Sequence, residues 1–307
     1  MNPFAPHPPE DFNEFWAEAM TEAHQVGLDY HRSLTNDFDL PGFTVETIEF
    51  ATVNGRRLHG WLAFPPGARR LPSFVWLPPY GRESRLPDAY GTRPGFASLS
   101  FNFHGHAAFH QEKYVQARGY FADGVESPET WIFRQMIQDS YVATRVLQAQ
   151  VEVDEDRMGV MGMSQGGGLA IALGAWCPII KVVCADMPFL GGIRNTLLNQ
   201  VYRYPLKELA DAMTTIPLGE VRIMNTLAYF DTINQATQCT LPTLVSLGLR
   251  DPACRPETVQ AIYDALPGSK KLEVYDWGHD WHPSMIGNNQ QWLREHLSKS
   301  TPQENPK

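Results

Sequence analysis

The chain has 307 residues, 43% apolar and 19% charged, with a formal net charge of −9 and a pI near 5.6. That length can bury a large core in one or two domains. No basic cluster could neutralise a row of phosphates and no apolar run approaches a membrane span, which argues against nucleic-acid and membrane partners.

From the N-terminus, residues Met1 to His7 carry neither a basic start nor an apolar core, so no signal peptide is read there. Asp11 opens an amphipathic helix with Phe12, Phe15, Trp16, Ala19, Met20 and Ala23 on one face. Val45 to Thr52 and Arg57 to Phe64 read as two strands joined at Val53-Asn54-Gly55, where Asn-Gly signals a hairpin. Ser73 to Leu77 is a short apolar strand bounded by prolines, and Ala97 to Phe103 alternates as another strand. Trp131, Met136, Ile137, Tyr141, Val146 and Leu147 suit a long helix over Glu129 to Gln150. Arg157 to Met161 is a further short strand, followed by a glycine-rich turn and the small-residue helical pattern Leu169 to Ala175.

Ile179 to Ala185 reads as a buried strand and Thr243 to Leu247 as another. A helix is expected from Pro256 to Leu266, a strand from Lys271 to Tyr275, and a closing helix around Trp292, Leu293 and Leu297. The polar tail, residues 301–307, is expected to be disordered. Strands alternating with helices imply parallel βαβ units. The expected fold is α/β: a doubly wound, mostly parallel sheet in a single domain over residues 1–300. An N-terminal helical extension precedes it. An insertion over about 187–238, with a helical pattern at Leu206 to Met213, covers the active-site end of the sheet. Four cysteines, at 177, 184, 239 and 254, form no C-x-x-C pair. They read as free buried thiols, which suits a cytoplasmic location.

The most informative segment is Gly162-Met163-Ser164-Gln165-Gly166-Gly167-Gly168. The pattern G-x-S-x-G alone is loose and fits any glycine-rich turn. Here it follows a strand and opens a helix, the context that lifts a serine hydroxyl to the edge of a sheet beside backbone N–H groups. A hydroxyl is a poor nucleophile at neutral pH and needs a base, usually histidine, oriented by a carboxylate. In this type of sheet the chain order is Ser, acid, His. Asp251 follows the strand Thr243 to Leu247 and fits the acid, since ligand sites lie at the carboxyl ends of such strands. Asp276 competes but lies too close in sequence to the expected histidine. His279 follows the last strand, directly after Gly278, and fits the base; His282 is its rival. One oxyanion N–H should come from Gln165 and the other from the loop Pro78-Pro79-Tyr80-Gly81, where Pro79 has none to give, leaving Tyr80 or Gly81. His104, His106 and His110 invite a metal reading, but no fourth ligand is near in sequence. A structural role is expected for them, with no metal and no cofactor needed.

These residues resemble the acetyl xylan esterase and cephalosporin-C deacetylase carbohydrate esterases (carbohydrate esterase family 7) of the α/β-hydrolase fold. The family's G-x-S-Q-G-G is matched by Gly162 to Gly167, and its G-L-x-D-x-x-C-x-P by Gly248 to Pro256. The stretches Gly119 to Gln150, Val153 to Arg157 and Asp186 to Leu190 are also similar, so the likeness spans most of the chain. The resemblance implies Ser164 as nucleophile, Asp251 as acid, His279 as base, and Tyr80 and Gln165 as oxyanion donors. It implies a small-molecule acyl ester as substrate and a homo-oligomer, in the family commonly a ring-like hexamer. The chain departs from the family in three places. His104-Gly105-His106 stands for R-G-Q, Asp280 for the Glu after the catalytic histidine, and Gly81-Arg82-Glu83-Ser84-Arg85 for a glycine run.

The expected function is a serine carboxylic ester hydrolase removing small acyl groups, acetyl above all, from sugars or related alcohols. If Arg82 and Arg85 face the pocket, they would favour a substrate carrying a carboxylate; the plainer reading makes both solvated loop residues. Two other functions fit the motif: a prolyl-oligopeptidase-like peptidase or amidase, and a non-catalytic ligand-binding relative.

Overall fold

A computed structural model describes residues 3–113, 119–198 and 203–298. The tail expected to be disordered lies outside the described residues. The N-terminal helix α1 (Phe12–Gln25) buries the six apolar side chains that its periodicity marked. Trp16 stacks on Trp176 and its indole N–H donates to the Tyr229 carbonyl at 3.0 Å, which ties the extension to the body.

The strands are β1 (Tyr30–Leu34), β2 (Thr44–Ala51), β3 (Arg57–Phe64), β4 (Leu71–Leu77), β5 (Ala97–Phe101), β6 (Val153–Met163), β7 (Ile180–Asp186), β8 (Thr243–Gly248) and β9 (Lys270–Tyr275). They form one sheet in the order β1-β2-β3-β5-β4-β6-β7-β8-β9. From β5 to β9 all pairs are parallel, while β1, β2 and β3 run antiparallel at one edge. This is the mostly parallel α/β sheet that the alternation of strands and helices implied. β1 was not anticipated: His31, Ser33 and Leu34 are exposed, as befits a short edge strand with little apolar pattern. The β2–β3 hairpin forms as expected, and Asn54 takes φ 61 in its connection. The alternation in β5 has a different cause from a solvent face. All five residues are buried, because β5 lies between β3 and β4, and the Ser100 hydroxyl accepts the Arg85 N–H at 2.5 Å.

The helices between and after these strands are α2 (Ile132–Gln148), α3 (Gln165–Trp176), α4 (Ile193–Leu197), α5 (Leu206–Thr215), α6 (Gly219–Phe230), α7 (Thr232–Ala236), α8 (Pro256–Ala265) and α9 (Pro283–Leu297). Side chains alternate across β4. Val75 and Leu77 enter the larger core shared with α2 and α3, whereas Phe74 and Trp76 enter a second core shared with Trp292 and Leu293 of α9. The helices α4 to α7 fill the interval between β7 and β8 where an insertion was expected. No helix among the described residues is long and apolar enough to cross a membrane.

The order of the sheet positions the site. After β4 the chain moves outward to β5, then returns past β4 to β6 and proceeds in the other direction. The carboxyl ends of β4 and β6 therefore flank a topological switch point, where crevices form in such sheets.

One buried group in α2 makes stability depend on pH. Asp139 is fully buried, accepts from Thr52 Oγ1 at 2.5 Å, and lies 3.6 Å from the Arg56 guanidinium. Burial pushes its carboxyl up to about 7, against the opposing pull of Thr52 and Arg56. Between the ordinary aspartate range and pH 7 the folded chain thus holds a proton that the unfolded chain has lost. That contribution to stability is present at low pH and lost as pH rises through 7. Asp139→Asn cannot ionise, so its stability relative to wild type should improve by on the order of 2 kcal/mol from pH 4.5 to 8. Urea unfolding of both proteins at the two pH values measures this, and an unchanged difference would refute it.

Candidate active site

Ser164 stands between the end of β6 and the first residue of α3, with φ 58 and ψ −119. A side chain other than glycine rarely adopts that conformation, and it persists here because the backbone around it is held. The Ser164 N–H donates to the Asp186 carbonyl at 2.9 Å, and its carbonyl accepts the N–H groups of Gly168 and Phe189. Gly166 is required by close approach: a Cβ there would collide with the carbonyl oxygen of Leu77, the last residue of β4.

The structure brings the three separated residues together. His279 Nε2 lies 3.0 Å from Ser164 Oγ, and His279 Nδ1 lies 2.7 Å from Asp251 Oδ2. The other Asp251 oxygen, Oδ1, accepts the N–H groups of Ala253 and Cys254, each at 2.8 Å. The Asp251 carboxylate is fully buried while the imidazole is 27% exposed. A carboxylate only accepts, so Nδ1 carries the imidazole proton and Nε2 is left to accept from the serine hydroxyl.

The rivals are disposed of by position. Asp276 is 76% exposed and pairs with Arg250 at 2.9 Å. His282 stacks on Tyr275 and caps the N-terminus of α9 by accepting the Ser284 N–H. Cys254, which sequence reasoning placed only in a motif, has its sulfur 4.0 Å from Ser164 Oγ. Burial, reinforced by the Asp251 charge, pushes its thiol well above the usual range, so it is not a competing thiolate. All four cysteines are free and buried.

The loop after β4 faces the start of α3. Gly81 has φ 119 and Arg82 φ 64. The Gly81 N–H donates to Tyr120 Oη at 3.1 Å, so of the two oxyanion candidates in this loop it is the committed one. Tyr80 Oη donates to Glu208 Oε1 of α5 at 2.8 Å, which links the inserted helices to this loop.

Neither arginine of the loop presents an unpaired charge. Arg82 makes a two-pronged pair with Glu112 and lies 4.4 Å from the Tyr120 ring centre. Arg85 pairs with Asp88 at 2.6 Å and packs against Tyr90 and Trp281. The idea that they select a carboxylate-bearing substrate loses its support, because each guanidinium is already neutralised. His104, His106 and His110 form a cluster with ring centres 4.4 to 5.2 Å apart, and His104 Nδ1 accepts the His106 N–H at 3.0 Å. Burial is the main cause that pushes the His104 imidazole down to about 4. Among the described residues, the one group of His, Cys and acidic ligand atoms close enough for a single ion is Asp251, Cys254 and His279.

A cavity of about 410 Å³, lined by residues that include Phe189, Ile193, Arg203, Tyr204 and Arg255, reaches Cys254, whose sulfur lies 4.0 Å from Ser164 Oγ. The inserted segment supplies much of its wall. A serine hydroxyl, an imidazole and a buried carboxylate joined by hydrogen bonds, with a cavity reaching Cys254 beside them, form an arrangement suited to acyl transfer.

Comparison with known proteins shows the family of the chain. The acetyl xylan esterase (AXE1) family model matches residues 4–296. The chain is 22% identical over 302 residues to the acetyl esterase Axe7A of Xylanibacter ruminicola, covering 94% of this chain and 67% of that protein. It is similar in structure to the acetyl xylan esterase from Paenibacillus sp. R4, with TM-score 0.87, 25% identity, and coverage of 95% and 96% of the two chains. The acetyl xylan esterase 1 of a Thermoanaerobacterium species gives TM-score 0.82 and 26% identity, with 96% of each chain covered.

Proposed function

Since the chain belongs to the acetyl xylan esterase family of carboxylic ester hydrolases, we propose that it removes acetyl groups from sugars or related alcohols through an acyl-enzyme on Ser164. The observation that carries this reading is the hydrogen-bonded chain from Ser164 Oγ through His279 to Asp251. Ser164 Oγ attacks the ester carbonyl as His279 Nε2 takes its proton. Asp251 holds the imidazole in the required tautomer and stabilises the imidazolium. The N–H groups of Tyr80 and Gln165 receive the charge that develops on the carbonyl oxygen. The alcohol leaves with the proton from His279. A water, deprotonated by His279, then attacks the acyl-enzyme, and acetate and free Ser164 are released.

The match to the acetyl xylan esterase family favours a short acyl group, acetyl above all. Acetyl esters of the cephalosporin-C type are a further substrate class that fits this chemistry. Four free buried cysteines suit a reducing compartment, and we assign the enzyme to the cytoplasm. We treat residues 1–300 as one domain built on the continuous sheet. We expect a homo-oligomer, as the family resemblance implies.

The test is a series of aryl esters from acetyl to octanoyl, with acetylated sugars and aminoacyl amides alongside. The expected result is turnover of the acetyl esters, aryl and sugar alike, that is lost in Ser164→Ala, with the longest acyl chain accepted reporting how far the cavity past Cys254 extends. Turnover of aminoacyl amides without acetyl esters would instead establish a peptidase or amidase.

A further inference from the structure

We infer that Tyr120 is a positioning residue for the oxyanion hole: its phenol bridges the loop after β4 to the residue after the nucleophile. This rests on the esterase reading above and adds a residue to it. Tyr120 Oη accepts the Gly81 N–H at 3.1 Å and donates to the Gln165 side-chain oxygen at 2.8 Å. The donor roles follow from chemistry. A backbone N–H can only donate, so the hydroxyl accepts there and its own hydrogen goes to Gln165 Oε1. The bridge spans the two segments whose backbone N–H groups, at Tyr80 and Gln165, would hold the oxyanion.

The loop needs such an anchor. Gly81 and Arg82 both have positive φ, and the Gly81 conformation is one that L side chains rarely adopt. Glycine permits that conformation but does not enforce it, so the peptide following Tyr80 depends on an outside partner to keep its orientation. Tyr120 is 4% exposed and Gln165 1%, so water is poorly placed to substitute. The phenol is itself held: its ring stacks on Tyr80 with centres 4.9 Å apart, and the Arg82 guanidinium lies over it. Preorganised donors act in catalysis because they need no reorganisation as charge develops. An unanchored loop would reorganise in every turnover while still binding substrate.

The experiment is Tyr120→Phe in the full chain, with kcat and KM for an acetyl aryl ester and an acetylated sugar. Ki is measured for a methyl trifluoromethyl ketone, whose adduct with Ser164 carries an oxyanion. The expected result is a fall in kcat of roughly tenfold or more, with KM within about threefold and a matching rise in the ketone Ki. Gln165→Leu removes the other end of the bridge and keeps its backbone N–H. It should give the same kcat loss, and the double variant should be no worse than either single one. Unchanged kcat in Tyr120→Phe, a loss confined to KM, or additive losses would overturn the inference. If Tyr120→Phe does not fold, the kcat and ketone Ki of Gln165→Leu decide alone by the same criteria. Failure of the esterase reading looks different: wild type itself would show no acetyl ester turnover that depends on Ser164.

Discussion

Replacing Ser164 with alanine is expected to lower kcat for acetyl ester hydrolysis by roughly 10⁴-fold or more, with KM nearly unchanged and the fold intact. The size of the effect follows from what the hydroxyl does. The acyl-enzyme route divides one slow hydrolysis into two faster steps, and without Oγ neither exists. What remains is catalysis by the oxyanion N–H groups on an attacking water. Stability should change little, since Ser164 Oγ makes few contacts beyond His279 Nε2 and the Cys254 sulfur. Relief of the positive φ needs glycine rather than alanine, so the backbone strain stays. The measurement is steady-state kinetics on both proteins, with a fluorophosphonate probe that should label wild type at Ser164 only. Equal rates for the two proteins would remove Ser164 from the mechanism.

Asp251→Asn should cost kcat about 10⁴-fold, almost as much, although it changes a single atom. The reason lies in the hydrogen bonds around the carboxylate. Ala253 and Cys254 both direct N–H groups at Oδ1. In the variant the amide oxygen must stay there, since an NH₂ group would face two donors. The NH₂ is then turned toward His279 Nδ1. The imidazole can only accept from it, so its proton moves to Nε2, the atom that must take the proton from Ser164. The base is present and correctly placed, in the wrong tautomer. Retention of most activity would show that Asp251 does not orient His279.

How far the site was legible depended on whether its signals were local. The turn around Ser164 was readable because strand, serine and helix are contiguous, and the glycines mark close backbone approach. Asp251 and His279 were readable from chain order, since each follows a strand of the parallel sheet. The parallel strands and α1 were marked by burial, which leaves an apolar pattern. β1 left none, being a polar edge strand, and the charged run Asp154-Glu155-Asp156 concealed the start of the central strand β6, where Asp154 is buried and paired with Arg157. Glu208 and Glu112 left no signal, and Tyr120 stood out only as part of a stretch similar to the family, with no role attached: their partners lie 30 to 128 residues away, and no local period encodes such contacts. Arg82 and Arg85 misled for a related reason. Their charges were visible in the sequence, but the carboxylates that neutralise them were not assignable.

The sequence by itself determined the class of sheet, the strained turn that carries Ser164, and the order along the chain of the residues proposed as nucleophile, acid and base, because hydrophobic periodicity and backbone sterics act over a few residues. The tertiary structure alone decided three things: which aspartate meets His279, that both loop arginines are paired, and that Tyr120 joins the two segments proposed to hold the oxyanion. These are matters of angstroms between distant segments, set by how the strands cross at the switch point and how the inserted helices return over it.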